Sequence, residues 1–187
     1  MKTKRRDPGM GGVLGNVAYV RKVKGRVEVL NGPPKPRALT ENQVAARATF
    51  LEASQFAKRQ TADPKSESHA QYTEGITETK RSAYMVALCD YLVEPTVHAI
   101  ETDGYRGKVG DTIEVKATDD FMVTRVNVVI KDAAGAVIEE GEAGPDLEQI
   151  NIWAYKATAA NPMLAGTTIK ATAYDRPRNK GTAEVTL

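Results

Sequence analysis

Six short runs in the C-terminal half decide the fold: Asp111-Thr-Ile-Glu-Val-Lys-Ala117, Val123-Thr-Arg-Val-Asn-Val-Val-Ile130, Ala136-Val-Ile-Glu-Glu-Gly141, Ile150-Asn-Ile-Trp-Ala-Tyr155, Gly166-Thr-Thr-Ile-Lys-Ala-Thr-Ala-Tyr174 and Thr182-Ala-Glu-Val-Thr-Leu187. Each is rich in β-branched residues and about a strand and a turn from the next, the spacing of an all-β sandwich. Ile113, Val115 and Ala117 alternate with polar neighbours, as do Val126, Val128 and Ile130, then Ile169, Ala171 and Ala173, then Ala183, Val185 and Leu187. Alternation of period two buries one face of each sheet and wets the other. With Thr96–Glu101 as a first strand, and Gly104, Gly107 and Gly110 marking the turn after it, seven strands are predicted near 96–101, 111–117, 123–131, 136–143, 149–157, 166–174 and 181–187.

Upstream of the sandwich the chain changes character. Thr40 stands three residues before Gln43, the spacing of a capping box, and an alanine-rich window runs from there to Gln60 without Gly or Pro. Val44, Ala48, Leu51, Phe50, Ala53 and Ala57 are expected to form its apolar face. A second helix is expected from Asp63-Pro64 to Leu92, capped by Asp63, weakened around Gly75, with Ala83, Val86, Ala87, Leu88 and Tyr91 at helical spacing, and stopped by Pro95. The two should lie antiparallel and dock on the hairpin, the sandwich or another subunit, being too thin to stand alone.

The first 37 residues are basic. They hold ten Lys or Arg against Asp7 and Glu28, a net of +8, so the remainder of this +2 chain carries −6. Residues 1–15 read as a flexible, glycine-rich arm. Val17 to Leu30 reads as a β-hairpin turning at Lys24-Gly25. Asn31-Gly32-Pro33-Pro34-Lys35-Pro36 reads as an extended connector. The divisions are therefore 1–37, basic arm and hairpin; 38–92, helical pair; and 93–187, sandwich.

Several residues resemble those of bacterial immunoglobulin-like domains: Val109-Gly110-Asp111-Thr112-Ile113, Ala117-Thr118-Asp119-Asp120, Ala133-Ala134-Gly135, Trp153-Ala154-Tyr155, and Ala165-Gly166-Thr167-Thr168-Ile169 through Ala173-Tyr174-Asp175. The likeness covers roughly residues 95–187 and implies a seven-stranded immunoglobulin-like sandwich. Where such domains end in an Asp-x-x-Gly-Asn turn, this chain has an Arg-rich tip, Asp175-Arg176-Pro177-Arg178-Asn179-Lys180-Gly181. The N-terminal half is faintly similar to phage- or mobile-element-associated proteins of the Bacteroidetes type.

Little in the sequence points to catalysis. The histidines, His69 and His98, fall in separate elements, and the lone Cys89 sits in a helical apolar pattern expected to bury it. No phosphate-cradling glycine loop follows a strand. The chain is read as a non-enzyme with no cofactor. If Asp119, Asp120 and Asp175 share one pole of the sandwich, they are the candidate calcium ligands; otherwise they make local turn hydrogen bonds.

Partner binding is the stronger expectation. Val17, Tyr19, Arg21, Lys22, Lys24, Arg26, Val27 and Val29 of the hairpin would join a neighbouring copy by strand addition, and Trp153 with Tyr155 would offer either core packing or an exposed aromatic patch. The expected role is a structural, self-associating subunit of a filament, tube or virion-like shell. A second expectation is nonspecific nucleic-acid binding through Lys2, Lys4, Arg5, Arg6, Arg21, Lys22, Lys24 and Arg26. Neither a signal peptide nor a membrane span is read, so a cytoplasmic or particle-assembled protein is expected.

Overall fold

The computed structural model describes residues 12–14, 18–23, 25–31 and 38–187. The chain divides into two compact units, Met1–Val44 and Ala45–Leu187.

In the first unit, β1 (Gly12–Leu14), β2 (Ala18–Val23) and β3 (Arg26–Asn31) form an antiparallel three-stranded sheet in that order. Gly25 takes φ +83 at the turn, the conformation expected of the glycine in Lys24-Gly25. The hairpin register sets Arg21 opposite Glu28 and Val20 opposite Val29. One expectation is corrected: Gly12–Leu14 is a strand paired with Ala18–Val20, not part of a flexible hinge. Its short apolar stretch gains backbone partners that an isolated reading of the glycines did not supply.

Helix α1 (Glu41–Gln60) opens with the expected capping box. The Gln43 backbone N–H donates to Thr40 Oγ1 (3.3 Å) and the Thr40 N–H to Gln43 Oε1 (3.1 Å). The expected second helix is instead two, α2 (Glu67–Glu74) and α3 (Ala83–Leu92). Asp63-Pro64 forms a turn rather than a cap, with Ser66 N–H donating to the Asp63 carbonyl. Ser66 caps α2 by accepting from His69 N–H, and Ser82 caps α3 by accepting from Met85 N–H. Helix α2 ends at Gly75, where only glycine fits: a Cβ there would stand 2.7 Å from the Phe121 ring and 2.9 Å from Val86.

The sandwich contains β4 (Thr96–Glu101), β5 (Thr112–Thr118), β6 (Arg125–Lys131), β7 (Val137–Pro145), β8 (Ile152–Lys156), β9 (Thr168–Tyr174) and β10 (Lys180–Thr186). All seven expected strands are present. Their order is β10-β9-β6-β7-β8-β5-β4, every pair antiparallel. Strand β7 is the corner: most of it pairs with β6, while Gly144 and Pro145 pair with Ala154 and Trp153 of β8. The sheet thereby folds into two facing layers, β10-β9-β6-β7 and β8-β5-β4, the arrangement of immunoglobulin-like sandwiches.

The alternating residues meet between the layers. Ile113, Val115, Ala117, Val126, Val128, Ile130, Ile169, Ala171 and Ala173 are all completely buried. At about 1.5–3 kcal/mol for each larger side chain, this layer outweighs any single polar contact on the surface. A second, smaller core joins α1, α2 and α3 through Ala53, Ala57, Tyr72, Val86 and Ala87, and Phe121 of the sandwich packs against it. The helical segment is therefore docked on the sandwich. Only the C-terminal half of α1 takes part; Val44, Phe50 and Leu51, expected on its buried face, are exposed.

The two edge strands, β4 and β10, approach at their starts. An added Cβ at Gly181 would lie 1.8 Å from the Pro95 carbonyl oxygen, whereas one at Gly144 meets nothing within 4 Å. Gly181→Ala is expected to cost about 1–3 kcal/mol in denaturant unfolding, because backbone rather than a flexible side chain must move. Gly144→Ala should change stability by less than about 0.5 kcal/mol. Equal effects of the two substitutions would show that the β4–β10 approach carries no strain.

Candidate functional site

Where the helices meet the sandwich, polar groups concentrate around Asp90. This carboxyl, on the inner face of α3, is 0% exposed. Its Oδ2 accepts from the Tyr72 hydroxyl at 2.6 Å, and its Oδ1 is buried with no hydrogen-bond partner among the described residues. The Tyr72 ring stacks on Phe121 with centroids 4.8 Å apart, and the Arg176 guanidinium lies over the Tyr72 ring, 5.0 Å from its centroid, while donating to Gln71 Oε1. Asn179, in the turn between β9 and β10, donates through Nδ2 to the Tyr91 carbonyl at 3.1 Å and to Asp175 Oδ2 at 2.8 Å. A single amide thus ties the end of α3 to the pole of the sandwich.

The charges are unusual for a buried seam. Burial, with the nearby charges of Asp119 and Asp175, pushes the Asp90 carboxyl up to about 7 against the pull of Tyr72 and Arg176. Asp175, also buried, is raised by burial against the hydrogen bonds from Asn179. Sequence reasoning named Asp175 but missed Asp90, Tyr72 and Asn179. The available signal was an Asp within an otherwise apolar helical run, Val86-Ala87-Leu88-Cys89-Asp90-Tyr91-Leu92.

The structure does bring the Asp119 and Asp175 loops to one pole. Thr124 N–H and hydroxyl donate to the Tyr174 carbonyl, and the hydroxyl also to that of Asp175. Asp119 Oδ2 accepts from the Phe121 and Met122 amides, and Asp175 Oδ1 from the Asn179 amide, while Asp120 pairs with Lys80 at 2.6 Å. Their contacts in the structure are thus turn hydrogen bonds and an ion pair. Among the described residues no group of three His, Cys, Asp or Glu has the arrangement to hold a metal ion.

At the opposite side of the core Glu139 is the organising acceptor. Its Oε2 receives the Tyr155 hydroxyl, the Thr158 amide and hydroxyl, and the Ala159 amide. Burial alone would raise its carboxyl, but these donors outweigh burial and hold it below the ordinary range. Tyr155, buried and donating to that carboxylate, is pushed up to about 12. Of the two readings given for Tyr155, core packing holds and the exposed patch does not: the residue is 3% exposed and pairs with Ile113 in the core. Trp153 is half-buried on the same side, and Ile150, expected within the strand, stands outside it and in solvent.

Of the expected hairpin contacts, Tyr19, Arg21 and Lys22 lie on β2, and Arg26, Val27 and Val29 lie exposed on β3. Lys2, Lys4, Arg5, Arg6, Val17 and Lys24 lie outside the described residues. Cys89 is half-buried; His69 stands near Thr73 on α2, and His98 meets the Thr118 hydroxyl at 2.6 Å on β4, so no nucleophile–base pair forms among them. No described helix is long and apolar enough to cross a membrane.

No family model matches the chain, and no curated protein sequence matches it. Among solved structures it is similar to CopC from Methylosinus trichosporium OB3b, with 8% identity and a TM-score of 0.35, over 49% of this chain and 88% of that one. It is also similar to a tetra-tandem repeat in the extending region of a large adhesion protein, with 18% identity and a TM-score of 0.34, over 50% of this chain and 23% of that one.

The raised Asp90 gives a signed pH dependence. The folded chain keeps a proton that the unfolded chain, with an ordinary value near 3.8, has released. Stability from this group is therefore full below about pH 4 and declines toward pH 7, by up to about 1.4 kcal/mol per pH unit. Asp175 acts in the same direction, whereas Glu139 and Asp111, both lowered, lose their contribution only as pH falls below the carboxylate range. Denaturant midpoints measured between pH 5 and 7 should fall with pH for the native chain and flatten in Asp90→Asn. An unchanged slope in that variant would place the proton elsewhere.

Proposed function

We propose that the protein is a non-enzymatic assembly subunit whose N-terminal sheet docks on a neighbouring copy, building a filament, tube or shell. The observation that carries this reading is the exposure of Val27 and Val29, 49% and 66%, on one face of β3. A small three-stranded sheet is stable only when an apolar face is covered. Here two valines two residues apart share a wet face of the strand. Val44 and Leu51 of α1, seven residues apart and so on one side of the helix, are also exposed, a further apolar stripe on that helix.

Electrostatics favours an unlike partner surface. Residues 1–37 carry +8 and the rest of the chain −6, so two N-terminal regions repel while one N-terminal region attracts another copy's body. Contact of that kind is heterologous and propagates from copy to copy. No grouping of nucleophile, base and cleft among the described residues competes with this reading.

Light scattering after size exclusion tests it on the full chain. The native protein should assemble with rising concentration and weaken as salt is added, since exposed opposite charges are screened within a Debye length of about 10 Å at 0.1 M. The double variant Val27→Glu/Val29→Glu should weaken association roughly 30- to 100-fold, the equivalent of the apolar burial lost. A native chain that remains monomeric, yet binds nonspecific duplex DNA tightly at low salt and releases it steeply with added salt, would replace this reading with phosphate binding through the basic arm.

A further inference from the structure

The assembly reading leaves the receiving surface open, and the sandwich offers one. A cleft of about 230 Å³ lies between the turn after β5 and the loop joining β7 to β8, lined by Phe121, Met122, Val123, Ile150 and Trp153. In the loop that lines it through Asp146, Gln149 and Ile150, Leu147 is 97% exposed and Ile150 89%. These are the largest apolar exposures in the described sandwich, and they are held there by fixed backbone. Asp146 Oδ1 accepts from the Glu148 and Gln149 amides, the Asp146 amide donates to the Ile152 carbonyl, and the Ala117 amide donates to Asn151, whose φ is +66. A loop pinned at both ends cannot fold its leucine and isoleucine inward.

The charge around the cleft has one sign. Asp119 and Asp146 line it, Glu148 stands exposed in the same loop, and no Lys or Arg lines it. Asp119 Oδ1 has no hydrogen-bond partner among the described residues. An apolar lip ringed by carboxylates complements an apolar strand face in a basic region, and Val27 and Val29 of β3 are exposed, with Lys22 of β2 opposite Val27 in the register, within residues 1–37 of net +8. Pairing like with like is disfavoured on both sides: cleft against cleft opposes carboxylates, and hairpin against hairpin opposes the +8 regions.

We propose that this cleft, with Leu147 and Ile150 as its anchors, is the acceptor that receives the N-terminal sheet of a second copy of the chain. The inference rests on the assembly reading and names its second surface. Because donor and acceptor are different patches, each can be removed separately in the full-length protein. Val27→Glu/Val29→Glu removes the donor and Leu147→Ser/Ile150→Ser the acceptor, at positions too exposed to support the core.

In sedimentation velocity each double variant alone should be monomeric at concentrations where the native chain assembles. Mixed in equal amounts they should form a dimer and nothing larger, since one intact donor meets one intact acceptor and both free ends are dead. Glu148→Lys, which leaves the cleft's shape alone, should weaken native assembly about tenfold and reduce its salt dependence. Assembly of Leu147→Ser/Ile150→Ser and of Glu148→Lys at native strength, with the donor variant monomeric, overturns the cleft as acceptor while leaving the assembly reading intact. Loss of assembly in neither double variant, or a native chain that never assembles, overturns both.

Discussion

The structure depends on one apolar layer. Ile113, Val115 and Ala117 of β5 face Val126, Val128 and Ile130 of β6 and Ile169, Ala171 and Ala173 of β9, and all of them are removed from water. A register shift of a single residue in any of these strands would turn its polar set inward, so the layer fixes register as well as stability. Closing two sheets over that layer requires a strand that belongs to both, and β7 supplies it by pairing with β6 and then, at Gly144 and Pro145, with β8. The loops at the pole, including those of Asp119 and Asp175, take their places from that closure.

The helices are held to this pole by chemistry of a different kind. Their own core is small, and Phe121 from the sandwich completes it by stacking on Tyr72. Around that stack lie the buried Asp90 carboxyl, the Arg176 guanidinium and the Asn179 amide. A buried acid that keeps its proton to near neutrality avoids the cost of an uncompensated charge but makes the seam sensitive to pH. Asp90 thus couples helix docking to protonation, while Glu139, whose Oε2 accepts from four donors, holds its side of the sandwich as a carboxylate.

The proposed assembly follows from what these two cores leave uncovered. The N-terminal sheet shows valines among positive charge, and the pole cleft shows leucine and isoleucine among negative charge. Neither surface complements itself, which favours propagation over a closed twofold pair.

Much of the fold was legible in the sequence because its signals are local. β-branched runs between turn residues located all seven sandwich strands to within a few residues, and period-two alternation gave the buried face of four of them; Lys24-Gly25 located the hairpin turn, and the Thr40–Gln43 spacing located the start of α1. Misreadings arose where a distant contact overrode local pattern. The second helix ends at Gly75, where Phe121, 46 positions along the chain, occupies the space a side chain would need. Tyr155 turns inward because Glu139 waits there as an acceptor, and Val44, Phe50 and Leu51 stay in water because the helical core ends at Ala53. The amino-acid order by itself determined the strands, their buried faces and the charge division between the two ends of the chain. Only the tertiary structure decided that Asp90 would be a buried acid and that Leu147 and Ile150 would stand exposed beside a cleft, because burial and electric field belong to neighbours that are remote in sequence.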